Sequence, residues 1–419
     1  MSYRICPGAR RGAVKVPVSK SEAHRALICA ALSEGCGERS VLVGAPSEDI
    51  FATLDCLKAL GAGVTMESAW ARLTPLTAPR RETALLDVRE SGSTLRFLLP
   101  LCGALGQSAR LKMHGRLPQR PMTPFIEALT LRGMRISSEG DELICEGQLQ
   151  SGDFTLPGNV SSQFVSGLLF ALPLLKGDSR ILLTSAMESA GYIDLTLSAL
   201  ADSGVQVTKA PGAYLVPGGQ SYQSPSFQTP GGDWSGAAAF LCMGALPGGR
   251  VSVKTLTYPS PQGDSQLLEL LRRMGAQVDY TDGTLSARGE ALGPIDIDVS
   301  QIPDLAPALA ALLCGIRGVS RILNAGRLRM KESDRLNGTA SLLKDLGADV
   351  RVEGDSLIIC GTGRLAGGRA RVLGDHRLAM AAAVAACSCD AEVVIDEPAC
   401  VAKSFPDFWT QLEALEVLR

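Results

Sequence analysis

An amphipathic helical pattern ends at a glycine and passes directly into a short segment bearing Val or Ile at five places in this chain: 57–64, 131–136, 200–207, 271–278 and 343–350. The glycines, Gly61, Gly133, Gly204, Gly275 and Gly347, stand 72, 71, 71 and 72 residues apart. Glycine just past a helix closes it in a left-handed conformation at no steric cost. A further amphipathic pattern runs from Phe405 to Leu415, so six copies of about seventy residues account for the 419-residue chain. Spacing this regular confines the chain to a fold assembled from repeated supersecondary units.

A second landmark keeps the same beat. Polar residues at Ser21, Ser93, Ser162, Ser235, Asp304 and His376 each lead into a stretch that is apolar on nearly every side. A helix without a polar face belongs in a core. Each copy therefore holds one buried helix, one amphipathic helix and several short strands, the last often a hairpin such as Val350–Cys360 around Gly354-Asp355. Three copies per domain would surround three buried helices with an outer layer of helices and sheets. The richest Pro/Gly/Ser stretch, 217–232, marks the break between halves. The opening segment Val14–Val18 alternates like a strand, but pattern alone does not say which half it joins.

Composition narrows the function classes. With 46% hydrophobic and 20% charged residues and a net charge of −2, the chain is expected to be soluble and globular, with no general attraction to nucleic acid or anionic lipid. No leader pattern and no apolar run of about 18 residues is present, which reads as cytoplasmic with no membrane partner. The twelve cysteines, among them Cys29, Cys102, Cys242 and Cys314 in apolar runs, lack any C-x-x-C pair and read as buried free thiols.

Candidate functional residues gather at the helix mouths. If 327–335 is one helix, Arg327, Lys331 and Arg335 stack at i, i+4 and i+8 and repel by roughly 0.2–0.5 kcal/mol per pair, which an anionic guest would relieve. Glu332 and Asp334 between them equally allow a salt-bridged surface face. Ser19 and Glu22 have capping-box spacing, which puts Lys20 and Ser21 at a helix mouth and Arg25 one turn inside. Cations oppose the helix dipole there, and a phosphate or carboxylate would resolve the conflict. Gly92, Ser93 and Arg96 form a second mouth, and the 116–121 stretch with Arg120 precedes a helix opened by proline. Ser161, Ser162 and Gln163 offer neutral hydrogen-bonding groups suited to an oxyanion. Asp304 reads first as an N-cap. Asp375-His376-Arg377 and Lys403-Ser404 add cations at two more mouths. Each has a bland reading as a cap, a snorkelling side chain or a loop, but random surface charge would not choose these positions so often.

The motifs Val16-Pro-Val-Ser-Lys-Ser21, Ser161-Ser-Gln-Phe164, Lys331-Glu-Ser-Asp-Arg335, Asp375-His-Arg-Leu-Ala-Met380 and Lys403-Ser-Phe-Pro406 follow one another along nearly the whole chain. In this the chain resembles the 5-enolpyruvylshikimate-3-phosphate synthases. The resemblance implies an α/β fold of two domains, each an inside-out α/β barrel of three βαβαββ units. Two crossovers would bring residues 1–18 to a phosphoenolpyruvate-side domain with 229–419, leaving 19–228 as the shikimate-3-phosphate side. It implies transfer of the enolpyruvyl group of phosphoenolpyruvate to the 5-hydroxyl of shikimate 3-phosphate with release of phosphate, no metal or cofactor, and a monomer.

The resemblance also places Lys20, Ser21, Arg25, Ser161, Ser162, Ser189 and Tyr192 around shikimate 3-phosphate, with Gln163 between the two substrates and Asp304 and Lys331 at the shikimate hydroxyls. Lys20, Gly92, Arg120, Lys331, Arg335, Arg377 and Lys403 fall at phosphoenolpyruvate. Asp304 would accept the hydroxyl proton, with Lys20 and Glu332 serving the methylene carbon. The cations Lys20, Arg25, Arg120, Lys331, Arg335, Arg377 and Lys403 would offset the negative charge of both substrates. Glu90 and Phe97 depart from the frequent Asn and Pro of the family, which leaves sensitivity to glyphosate open. The sister transferase acting on UDP-N-acetylglucosamine carries Lys-Asn where Lys20-Ser21 stands, and usually a loop cysteine absent from 116–120. A non-catalytic repeat scaffold would explain the period but not the charged helix mouths.

Overall fold

The structure is a computed structural model that describes residues 2–35, 37–76 and 82–418. Cys36 lies outside the described residues. The chain divides into two compact units, Val18–Pro230 and Met1–Pro17 with Gly231–Arg419, each with its own hydrophobic core. No helix among the described residues is long and apolar enough to cross a membrane.

Unit Val18–Pro230 contains α1 (Lys20–Leu32), α2 (Glu48–Leu60), α3 (Gly92–Leu105), α4 (Thr123–Thr130), α5 (Ser162–Ala171) and α6 (Ala190–Asp202). The apolar α1, α3 and α5 are the buried ones, with nine of the ten residues of α5 sequestered. The amphipathic α2 closes on Gly61 at φ 113°, the left-handed geometry its sequence called for. Helices α3 and α5 pack closely because α5 carries Gly167 at the contact: a Cβ there would lie 2.1 Å from the Arg96 carbonyl oxygen. That carbonyl is the one Pro100, lacking an N–H, cannot bond within α3.

Three four-stranded sheets cover these helices. In one, Ala84–Arg89 runs parallel to Ala109–Met113, followed by the hairpin Arg135–Glu139/Glu142–Glu146. A second repeats the arrangement with Asp153–Leu156, Ser179–Leu183 and the hairpin Thr208–Ala210/Ala213–Val216. The third takes its outer parallel strand, Phe227–Gln228, from the far end of the unit to lie beside Arg39–Leu42.

The other unit contains α7 (Trp234–Ala245), α8 (Leu267–Met274), α9 (Ala306–Cys314), α10 (Arg335–Asp345), α11 (His376–Ala386) and α12 (Phe408–Glu413). Helices α7, α9 and α11 pack on one another and every residue of each is buried. The N-terminal strand Ala9–Lys15 lies between Arg250–Lys254 and Glu416–Leu418 in a five-stranded sheet. It begins and ends earlier than the alternation at Val14–Val18 suggested, because Pro17 lacks the N–H a ladder needs. The hairpin Asp349–Glu353/Ser356–Gly361 turns on Gly354-Asp355 as its sequence requires, with Gly354 at φ 57°.

Four local expectations change. Arg327–Arg335 is not one helix: a 3-10 segment, Gly326–Met330, gives way to an extended Lys331, and α10 starts at Arg335 behind the N-cap Asp334. Asp304 is not an N-cap; it sits in a 3-10 turn, Pro303–Leu305, and its carboxylate bonds to side chains instead. The last helix, α12, spans Phe408–Glu413 and not Phe405–Leu415, so Lys403 stands outside its mouth, whereas α4 has Pro124 in its first turn as its sequence suggested. The eleven described cysteines are free, but Cys6 is exposed.

Candidate active site

In the unit Val18–Pro230, the first mouth forms as its sequence suggests: the Ser19 hydroxyl accepts from the Glu22 N–H, and Lys20 opens α1. Lys20 Nζ lies 2.8 Å from Asp49 Oδ2 at the start of α2, a largely buried ion pair. Arg25 is 3% exposed. Its Nη2 donates to the Tyr192 carbonyl at 2.6 Å, its Nη1 to the Ser21 carbonyl at 2.5 Å and its Nε to Thr196 Oγ1 at 2.8 Å. Burial pushes this guanidinium down to about 10, which leaves it charged at neutral pH. Ser21, Arg25 and Tyr192 are thus brought together. Ser189 precedes α6 in a left-handed conformation, φ 56°, a geometry uncommon for a residue with a side chain.

At the second and third mouths Gln163 is the link. Its Oε1 accepts from Arg96 Nη1 at 2.7 Å and its Nε2 donates to Ser93 Oγ at 2.9 Å. Ser161 caps α5 and Ser162 is buried in its first turn. Gly92 has guanidinium nitrogens on two sides, since a Cβ there would meet Arg96 at 2.5 Å and Arg120 at 2.8 Å. Glu90 turns its carboxylate to Gly115, where an added Cβ would meet it at 2.6 Å.

In the other unit, Asp304 Oδ1 bonds Lys331 Nζ and Arg335 Nη1, each at 3.1 Å, with Arg377 Nη2 3.9 Å from Oδ2. Burial would push the Asp304 carboxyl up, but Lys331, Arg377 and Arg335 outweigh it and hold it well below the usual range. Burial pushes Lys331 down, with Asp304 opposing. Arg335, 1% exposed, spans Asp375 through Nε (2.9 Å) and Nη2 (3.2 Å) and reaches Glu332 Oε2 at 2.5 Å. Arg377 donates to the Ser235 carbonyl and hydroxyl, and Ser235 in turn to Asp233. Lys403 ends a 3-10 segment, Pro398–Lys403, and is half-buried.

Counting cations alone therefore misses half the electrostatics. Lys331, Arg335 and Arg377 meet Asp304, Glu332 and Asp375, three charges of each sign, and Lys20 meets Asp49. Asp49, Thr196, Ser166 and Ser333 escaped the sequence reading. Asp49 looks like any acid in a first helical turn. Thr196 and Ser166 had a faint signal, as hydroxyls inside apolar runs; Ser333, which donates to Asp375, had none.

Clustered polar side chains at buried helix mouths, set on α/β sheets in both units, define an enzyme built to handle small anionic molecules. The family model described as EPSP synthase (3-phosphoshikimate 1-carboxyvinyltransferase) matches residues 7–412. A Clostridium botulinum 3-phosphoshikimate 1-carboxyvinyltransferase is 40% identical over 99% of this chain and 97% of its own length. A Clostridium perfringens protein of the same name is 41% identical over 98% and 97%. The solved EPSP synthase of Acinetobacter baumannii superposes with a TM-score of 0.80 at 26% identity, covering both chains fully. The chain belongs to the EPSP synthase family.

Proposed function

We propose that this protein transfers the enolpyruvyl group of phosphoenolpyruvate to the 5-hydroxyl of shikimate 3-phosphate, yielding 5-enolpyruvylshikimate 3-phosphate and phosphate on the way to chorismate and the aromatic amino acids. Support comes from family membership over nearly the whole chain, and the observation that carries it is Asp304 beside Lys331, Arg335 and Arg377. In this reading Lys20, Ser21, Arg25, Ser161, Ser162, Gln163, Ser189 and Tyr192 hold shikimate 3-phosphate, with Asp304 and Lys331 at its hydroxyls. Lys20, Gly92, Arg120, Gln163, Lys331, Arg335, Arg377 and Lys403 hold phosphoenolpyruvate.

The chemistry needs a base for the 5-hydroxyl and a proton shuttle at the methylene carbon. Asp304 takes the first role. Its three cationic neighbours make it a weak base without substrate, and an anion that engages those cations raises its basicity. Lys20 and Glu332 take the second role. The protein acts in the cytoplasm as a monomer, and glyphosate competes with phosphoenolpyruvate to the extent that Glu90 stays turned to Gly115.

Phosphate release that requires both substrates tests the activity, and calorimetry with shikimate 3-phosphate separates an enzyme from a bare scaffold. Asp304→Ala and Glu332→Gln should bind substrates yet lose about 10²–10⁴-fold in turnover. Turnover within a few-fold of the parent removes that residue from proton transfer.

A further inference from the structure

Four buried polar side chains run through the first unit without a part in the chemistry just described. His24 Nδ1 lies 2.8 Å from Thr53 Oγ1, Thr53 Oγ1 2.7 Å from Thr94 Oγ1, and Thr94 Oγ1 2.7 Å from Ser91 Oγ. None is more than 1% exposed. The row crosses from α1 through α2 to the N-cap of α3. Apolar residues of similar size would fill the same space without the desolvation cost of buried polar groups. What hydrogen bonds add is a fixed offset between the helices.

We propose that His24, Thr53, Thr94 and Ser91 form a strut that sets the mouth of α3 against the mouth of α1, and are positioning residues for the contacts assigned above to Gly92 and Lys20. The inference rests on that assignment. One end of the strut, Ser91, directly precedes Gly92, which lies against the guanidiniums of Arg96 and Arg120, so a shift of this loop moves Gly92 relative to both. The other end stands one turn from Lys20. Lys20–Asp49 and His24–Thr53 form two rungs between α1 and α2, each residue of the second rung four positions after its counterpart in the first. An anion that draws Lys20 away from Asp49 breaks the first rung, and the second keeps the helices in register.

The strut has a direction. Thr94 donates its only hydroxyl proton to Ser91, so it accepts from Thr53, and Thr53 accepts from His24. The imidazole proton therefore sits on Nδ1, and Nε2, buried with no hydrogen-bond partner among the described residues, carries a bare lone pair. Burial pushes this imidazole down to about 3, which keeps it neutral at working pH.

The test combines steady-state phosphate release, both substrates varied, with nitrogen NMR of His24 in the full-length protein. Thr53→Val and Thr94→Val should raise KM for phosphoenolpyruvate, assigned to both mouths through Gly92 and Lys20, about tenfold or more, and KM for shikimate 3-phosphate, assigned of these two mouths only to that of α1, severalfold less, while Thr53→Ser and Thr94→Ser should stay near the parent. The NMR shifts should report the Nδ1–H tautomer in the unsubstituted protein. Valine variants that melt at lower temperature with both KM values unchanged, or that weaken both substrates equally, would overturn the proposal, as would an Nε2–H tautomer, which can be read even if the valine variants do not fold. A parent that releases no phosphate from these substrates refutes the functional reading itself, and with it the positioning role.

Discussion

Arg335 combines near-complete burial with contacts to three carboxylates, Asp304, Glu332 and Asp375. Removing one partner from such a cluster leaves uncompensated charge in a poorly solvated place, which typically costs about 3–5 kcal/mol. Arg335→Ala should therefore lower the unfolding free energy by that amount in urea titration; an unchanged midpoint would show the cluster to be solvated. Asp304 gives a pH signature. Its folded carboxyl is held below the unfolded value, so its stabilising contribution is complete above about pH 4 and is lost as pH falls below that. The stability gap between the parent and Asp304→Asn should be largest near neutrality and shrink on acidification. A gap that widens below pH 4 would reverse the sign assigned here.

Elements were legible where a local rule governs them. A helix apolar on all sides has to be buried, and α7, α9 and α11 are; a left-handed glycine ends α2 and α8, at φ 113° and 104°. Rules of spacing failed at 327–335, where the i, i+4 pattern suggested a helix. There Lys331 turns extended, which lets it and Arg335 both reach Asp304. The contact of α3 with α5 depends on Gly167 in a way that intrinsic propensity would predict with the wrong sign. Alanine in mid-helix normally gains up to about 1 kcal/mol over glycine. Here its Cβ would strike the Arg96 carbonyl, and Gly167→Ala should instead lose about 1–3 kcal/mol, read from the urea midpoint at constant slope. A stabilised variant would mean that α5 can move away freely.

At the scale of the molecule, the second unit is discontinuous in sequence. Its strand Ala9–Lys15 pairs on both sides and buries Val14, while the neighbouring Val16 is also in the core. Deleting residues 2–17 would expose the edges of Arg250–Lys254 and Glu416–Leu418 and open the core beneath. The shortened chain should lose its cooperative thermal transition in this unit, followed by circular dichroism; an unaltered melting curve would show that the strand is dispensable.

The period of the chain, its buried and amphipathic helices, its glycine stops and the cationic helix mouths were determined by sequence alone, because each follows from side-chain chemistry within a few residues. Partnerships were not. That Asp304 faces Lys331 and Arg335, that Asp49 holds Lys20, and that Asp375 rather than a solvent-facing acid orients Arg335 depend on residues 27 to 40 positions apart meeting across packed helices. Local pattern places a charge at a helix mouth; only the tertiary structure supplies the opposite charge, because Coulomb interactions act through space and take no account of distance along the chain.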